Sequence, residues 1–272
     1  MISDKLAVIT FNVQGVPSSS EKTKYRFKKI AQLLEIENVD IINLQEVFSY
    51  ECLNILRVGL KKYPHLSYER SVLGPKGGLV TFSKLPLVKE RYVPYPFVNL
   101  LRPALFRIFC RNIFSGKGVL VTRIKKLSVV ILNTHFIANS NNDWSGNNPL
   151  RNTYLSYIKK LRRTTRSLKD YSLLILSGDF NIPVTSDLYK ILITNIKMID
   201  VYDKETRPTF QKELLPRGEK GNRLDYIFIK KVNTKLNVLG RSHVFAKKLI
   251  SRSINRGYIS DHLGLKVALI IN

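Results

Sequence analysis

Residues 172–182 read Ser-Leu-Leu-Ile-Leu-Ser-Gly-Asp-Phe-Asn-Ile, an apolar β-type run that closes on a glycine, then an aspartate and an asparagine two residues apart. Such a run is stable only when buried, yet it delivers two oxygen-bearing side chains to its C-terminal end, where α/β sheets gather ligands. Asp179 and Asn181 suit a hard cation and a phosphate oxygen. Standing alone, Asp-x-Asn after a strand is usually a turn or a helix cap. Its meaning depends on what stands at the other strand ends.

Working outward, residues 6–12, 40–44, 77–83, 119–124, 128–134, 223–229 and 263–271 read as further strands by length, alternation and β-branching. Amphipathic helices are expected from the caps at 18–20 to about 36, over 49–62, over 150–168 and over 188–193. Strands alternating with helices predict an α/β architecture. No linker, repeat or low-complexity tract interrupts the 272 residues, so one domain over 1–272 is expected.

The charge balance is unusual: 45 Lys and Arg against 20 Asp and Glu give +25 and an isoelectric point near 10.1. That field favours a polyanion, either nucleic acid, an anionic membrane surface or a phosphorylated substrate. Two cysteines, Cys52 and Cys110, exclude a disulfide framework and read as buried thiols, with a single bridge between them left open. No apolar run approaches the ~20 residues that span a bilayer. The first residues show no secretory signal, which predicts a cytoplasmic protein or an exported one whose signal has been removed.

Polar residues recur at the strand ends: Asn12, Glu46, His135, Asp179 with Asn181, Asp225, and Asp261 with His262. A lone glutamate after a strand is usually solvated, and a lone histidine there is usually structural. Asp225 differs, because strand residues flank it and an unpaired carboxylate is costly to bury. Together the set suits metal-assisted hydrolysis of a phosphoester. A carboxylate anchors Mg²⁺, amides orient phosphate oxygens, and carboxylate-held histidines move protons and stabilise charge.

The order and wording of these motifs resemble the endonuclease/exonuclease/phosphatase superfamily. The resemblance rests on Thr10-Phe11-Asn12, Leu44-Gln45-Glu46, Gly178-Asp179-Phe180-Asn181, Leu224-Asp225-Tyr226 and Ser260-Asp261-His262, all in sequence from residue 10 to residue 262. It implies a four-layer α/β sandwich, two packed mixed β-sheets flanked by helices as in deoxyribonuclease I, with the site at one end between them. Abasic-site endonucleases and inositol polyphosphate 5-phosphatases carry motifs that this chain lacks. The neutral sphingomyelinase branch is most similar, through Gly77-Gly78 to Ser83-Lys84-Leu85-Pro86, Gly116-Lys117-Gly118, Thr134-His135 and Arg207-Pro208-Thr209-Phe210. Residues 73–76 lack the acidic pair that supports an edge metal site in secreted bacterial sphingomyelinases.

The resemblance implies Mg²⁺, with Mn²⁺ or another divalent cation as substitutes, held by Glu46 with Asn12 and Asp261. Asn12 and Asn181 would orient phosphate. His262, supported by Asp225, would act as base, Asp179 would position water, and His135 would stabilise the transition state. The choice of base between Asp179 and His262 stays open. The implied activity is sphingomyelinase-like cleavage of a phospholipid, with a deoxyribonuclease-like endonuclease as the alternative. The basic, aromatic segment 94–114 reads as a membrane-interface element, a plain surface element, or a nucleic-acid path.

Overall fold

The structure is a computed structural model that describes residues 5–15, 20–96, 116–139, 143–211, 221–232, 237–248 and 257–271. The opening run becomes strand β8 (Leu173–Asp179), buried along its whole length. One sheet has the order β11 (Asn237–Val244), β12 (Gly264–Ile270), β1 (Lys5–Asn12), β2 (Ile41–Gln45), β4 (Pro75–Ser83), β3 (His65–Arg70). The other runs β5 (Val88–Pro94), β6 (Gly118–Ile124), β7 (Val129–His135), β8, β10 (Asp225–Lys231), β9 (Ile199–Asp200).

Period-two alternation gives each central strand two working faces. On the outer face of the first sheet, Ile9, Phe11, Ile42, Leu44 and Val80 pack with Phe27, Ile30 and Leu34 of α1 (Glu21–Glu37) and Leu53 and Leu56 of α2 (Tyr50–Gly59). On the second, Val130, Leu132, Leu174, Leu176 and Phe228 pack with Tyr154, Ile158 and Leu161 of α3 (Arg151–Ser167) and Leu192 of α4 (Asp187–Ile196). Ser20, Ser49 and Ser186 cap α1, α2 and α4 by accepting the amides of Thr23, Cys52 and Tyr189. The result is the expected four-layer sandwich of two mixed sheets flanked by helices.

The inner faces change character along the strands. Leu6, Val8, Ile41, Ile131, Ile175, Ile227 and Val267 fill one end with hydrocarbon. Further along the same faces stand Thr10, Asn43, Gln45, Thr81, Asn133 and Ser177, all buried. Asn43 donates to Ser177 Oγ at 2.8 Å and accepts from Thr81 Oγ1 at 2.7 Å. Gln45 Nε2 donates to Asn133 Oδ1 at 2.8 Å, while Asn133 Nδ2 donates to the carbonyls of Leu44 and Val80, each at 3.0 Å. This polar seam joins the sheets by directional bonds rather than by packing alone.

Strands β3, β5, β9 and β11 go beyond the sequence expectation, and they are the four edges of the two sheets. The edge strands β5 and β11 are exposed over most of their length, so neither carries the buried apolar run by which a strand is recognised. Cys52 is a buried free thiol, while Cys110 and segment 97–114 of the basic stretch lie outside the described residues. No helix among the described residues is long and apolar enough to cross a membrane.

The seam carries a stability prediction. Asn133→Ala strands two carbonyls and the Gln45 amide in a buried layer, so unfolding free energy should drop by about 3 kcal/mol in urea titration.

Candidate active site

Two βαβ units set the site. β1 and β2 are parallel, joined through α1, and β7 and β8 are parallel, joined through α3. Parallel strands end together, so Asn12 and Gln45 close one sheet while His135 and Asp179 close the other. β10 and β12 run antiparallel to their neighbours. Their starts therefore arrive at the same end: Asp225 lies opposite Asp179 in the ladder, and Asp261 and His262 directly precede β12.

These residues meet across the gap between the sheets. Asn12 Nδ2 donates to Asp179 Oδ2 at 3.0 Å and to Glu46 Oε1 at 3.3 Å. Asp179 Oδ1 accepts the Asn181 amide at 2.8 Å, and its Oδ2 lies 3.5 Å from His135 Nε2 and 3.7 Å from His262 Nε2. His262 Nδ1 pairs with Asp225 Oδ2 at 2.8 Å. Ser260 Oγ donates to Asn12 O at 2.6 Å and accepts the His262 amide at 3.1 Å, tying the last loop to the first strand.

The backbone is arranged for this convergence. Gly178 has φ +147°, and a Cβ there would stand 1.9 Å from Thr134 O, so only glycine lets β8 pass this close to β7. Gly78, at φ +68°, leaves no room for a Cβ, which would lie 2.9 Å from Glu46 Cα. Glu46 and Asn181 themselves sit at φ +66° and +49°, conformations that non-glycine residues adopt rarely and that gather at functional sites.

Burial pushes the Asp179 carboxyl up to about 7, with Asp225 adding to the rise against the pull of His262 and of the Asn12 and Asn181 hydrogen bonds. Burial alone would lower His262, but the charges of Asp225 and Asp179 and the Asp225 hydrogen bond outweigh it and hold the ring well above its usual value. His135 moves the other way, through burial and then the ammonium of Lys117 and the charge of His262. Lys117 Nζ stands 2.7 Å from His135 Nδ1 and 3.0 Å from Nε2, a contact suited to a neutral ring. One histidine is thus kept charged and the other neutral within a single cluster.

Two groups have the chemistry of a cation site. Asp179, Asp225 and His262 each offer a donor atom within 4.8 Å of the others, all buried. Glu46, Asp261 and Asn12 offer a second set of oxygens, in which Asn12 is buried while the Glu46 side chain, 25% exposed, and half-buried Asp261 lie closer to solvent. Asp261 is raised by burial and then by the charge of Glu46, a repulsion that a divalent cation between the two would remove.

Several functional contacts come from residues that the sequence did not single out for the site. Thr209 Oγ1 accepts the amides of Leu224 and Asp225 at 2.9 and 3.1 Å and so fixes the start of β10. Phe210 packs edge-on against His262, with ring centroids 5.1 Å apart. Arg26, from α1, donates to the carbonyls of Val13, Gln14 and Ile259, clamping the loop that follows Asn12 to the loop that precedes His262. For Thr209, Phe210 and Lys117 the signal lay in Pro-Thr-aromatic and Lys-Gly, read as branch markers rather than as contacts. Arg26 has no local signal, because one arginine in a basic helix looks like any other.

This fold and this pairing of carboxylates, amides and histidines have the chemistry that phosphoester hydrolysis requires. The chain belongs to the Endonuclease/Exonuclease/phosphatase family, whose sequence profile matches residues 9–262. A Drosophila melanogaster protein assigned as a neutral sphingomyelinase is 27% identical over 245 residues, which take in 85% of this chain and 53% of the fly protein. The chain spans about half the length of such relatives. A Staphylococcus aureus beta toxin mutant with bound magnesium ions superposes with a TM-score of 0.68 at 20% identity, covering 97% of this chain and 99% of the toxin. D. rerio TDP2 complexed with a single-strand DNA product gives 0.69 at 15% identity, covering 97% of this chain and 98% of TDP2. At these identities the structural likeness speaks for the fold.

The carboxylate behind His262 can be tested directly. Asp225→Asn should bring the His262 imidazole down toward its usual range near 6.5 in an NMR titration of a folded protein. An unmoved titration would mean that Asp225 does not hold the ring charged.

Proposed function

We propose that this chain is a divalent-metal-dependent phosphodiesterase of the sphingomyelinase type, cleaving a phospholipid on the lipid-backbone side of the phosphate so that water adds to phosphorus and the phosphorylated headgroup leaves. The observation that carries the reading is the convergence, at one end of the sandwich, of a cation-suited oxygen set with a histidine–carboxylate pair. Glu46 is the metal anchor in this reading, with Asn12 and Asp261 beside it, because a protonated His262 is a poor ligand and metal-bound histidine must be neutral. A bound Mg²⁺ or similar cation supplies charge neutralisation at the phosphate oxygens.

The side chains then divide the work. Asn12 and Asn181 hold non-bridging oxygens without adding negative charge. Asp179 and His262, 3.7 Å apart, bracket the attacking water; ionised Asp179 receives its proton, and the charged His262 ring donates to the reacting oxygens. Asp225 keeps the His262 ring oriented by the 2.8 Å bond at Nδ1. His135, kept neutral and backed by Lys117, faces the same carboxylate oxygen at 3.5 Å and stabilises charge that develops on the phosphoryl group.

The sphingolipid assignment draws on the fly relative and on the Gly-Lys-Gly strand that presents Lys117 to His135. A nuclease reading is the rival, supported by the +25 charge and by the likeness to a DNA-bound TDP2 structure.

A parallel assay on sphingomyelin vesicles and plasmid DNA decides between them: phosphocholine release without nicking supports the lipid reading, and nicking without release overturns it. Chelation by EDTA should abolish turnover and Mg²⁺ should restore it. Glu46→Gln should raise the Mg²⁺ concentration required, while His262→Ala should lower kcat by ~10²–10⁴ in a protein with unchanged circular dichroism. Because Asp179 must be ionised to receive a proton, kcat/KM should fall as pH drops below about 7. Asp179→Asn should remove that limb together with most of the rate, without loss of thermal stability, since it relieves a buried charge.

A further inference from the structure

The hairpin of β3 and β4 ends in Ser71-Val72-Leu73-Gly74 and displays apolar side chains where a soluble surface has no use for them. Val72 is 95% exposed, more than any other large apolar side chain among the described residues, and Leu73 beside it is 66% exposed. Isolated exposed aliphatics are ordinary. Here two stand side by side on a turn that is held rigid. The Ser71 amide and hydroxyl both donate to Gly74 O, at 3.0 and 2.8 Å, and Tyr50 on α2 donates to Ser71 O at 2.7 Å. The pinned turn keeps both side chains pointing away from the core.

The surroundings have the order of an interface. Behind the tip, Tyr50 and Tyr68 meet edge-on at 6.4 Å, with Tyr50 38% exposed, which suits rings that straddle apolar and wet regions. Arg70 is exposed at the base of the turn, and Lys76 lies on the far strand over the Tyr92 ring. The acids nearby are engaged: Glu69 with Lys89 at 2.7 Å and Glu51 with Lys24 at 2.9 Å. Aliphatic tip, aromatic ledge and cationic flank follow the polarity gradient of a lipid leaflet carrying anionic headgroups.

The tip is also mechanically close to the site. Gly74 lies against the backbone of Phe48, and Gly78, on the same strand, lies against Glu46. Leu73 is five residues from Gly78, on the order of 15 Å along a strand. Anchoring the tip in a membrane would hold Glu46 facing the headgroup layer.

We propose that Val72 and Leu73 insert into an anionic phospholipid surface and dock this enzyme on it, with Arg70 and Lys76 against headgroup phosphates. None of these residues belongs to segment 94–114, and the inference rests on the reading that the ester is a membrane lipid. The test uses pelleting with mixed phosphatidylcholine and phosphatidylserine vesicles that contain no sphingomyelin, in EDTA, so that binding is read apart from catalysis. Wild type should sediment with the vesicles. Val72→Ser/Leu73→Ser should partition about tenfold less or weaker still, since it exchanges two apolar side chains for polar ones, with unchanged hydrolysis of the soluble diester bis(4-nitrophenyl) phosphate. The swap Val72→Leu/Leu73→Val should bind as wild type. Failure of wild type to sediment, equal sedimentation of the double-serine variant, or its loss of diester hydrolysis would each overturn the docking role. Tip-dependent binding without cleavage of detergent-dispersed sphingomyelin would support docking and overturn the substrate reading instead.

Discussion

The layer between the two sheets is the constraint on which the rest depends. Every central strand contributes alternate residues to it, and its chemistry grades from Leu6 and Ile175 through Asn43, Asn133 and Ser177 to Asn12, Asp179 and Asp225. At the apolar end, packing fixes the separation of the sheets. In the middle, the Gln45–Asn133 and Asn43–Ser177 bonds fix their relative register, because a hydrogen bond fails within a few tenths of an ångström where a hydrocarbon contact merely loosens. Beyond them the two halves of the site, one from each sheet, are already aligned when the Asn12–Asp179 bond forms at 3.0 Å.

That alignment explains how so many ionisable groups persist at one place. Asp179 and Asp225 are both buried, and burial together with the charge of Asp225 raises Asp179. They are tolerated because His262 is drawn up between them and because Asn12 and the Asn181 amide offer donors. The same low-dielectric setting keeps His135 neutral against Lys117. Burial pulls both histidines down, and it is their neighbours, carboxylates around His262 and an ammonium beside His135, that separate their protonation states.

Much of the fold was legible locally. A strand buried on both faces announces itself as a continuous apolar run, so β1, β2, β7, β8 and β12 could be read from composition, as could helices with a clear apolar stripe. The edge strands β3, β5, β9 and β11 could not, because hydrogen bonding to a neighbour, rather than burial, is what makes them strands. The polar strand-end residues were legible as a set through their order along the chain. Their pairings were not, since Asn12 and Asp179 are separated by 167 residues and only the packing of the sheets brings them into contact.

By itself, then, the sequence determined that Asp179 and Asn181 end a buried strand, and that Asn12, Glu46, His135, Asp225 and His262 occupy comparable positions. Local pattern and residue type suffice for that. Tertiary structure decided which of them touch, which histidine is charged, and that Thr209, Phe210, Lys117 and Arg26 serve the same cluster. Those properties are set by distance and burial, and both exist only once the two sheets have closed on each other.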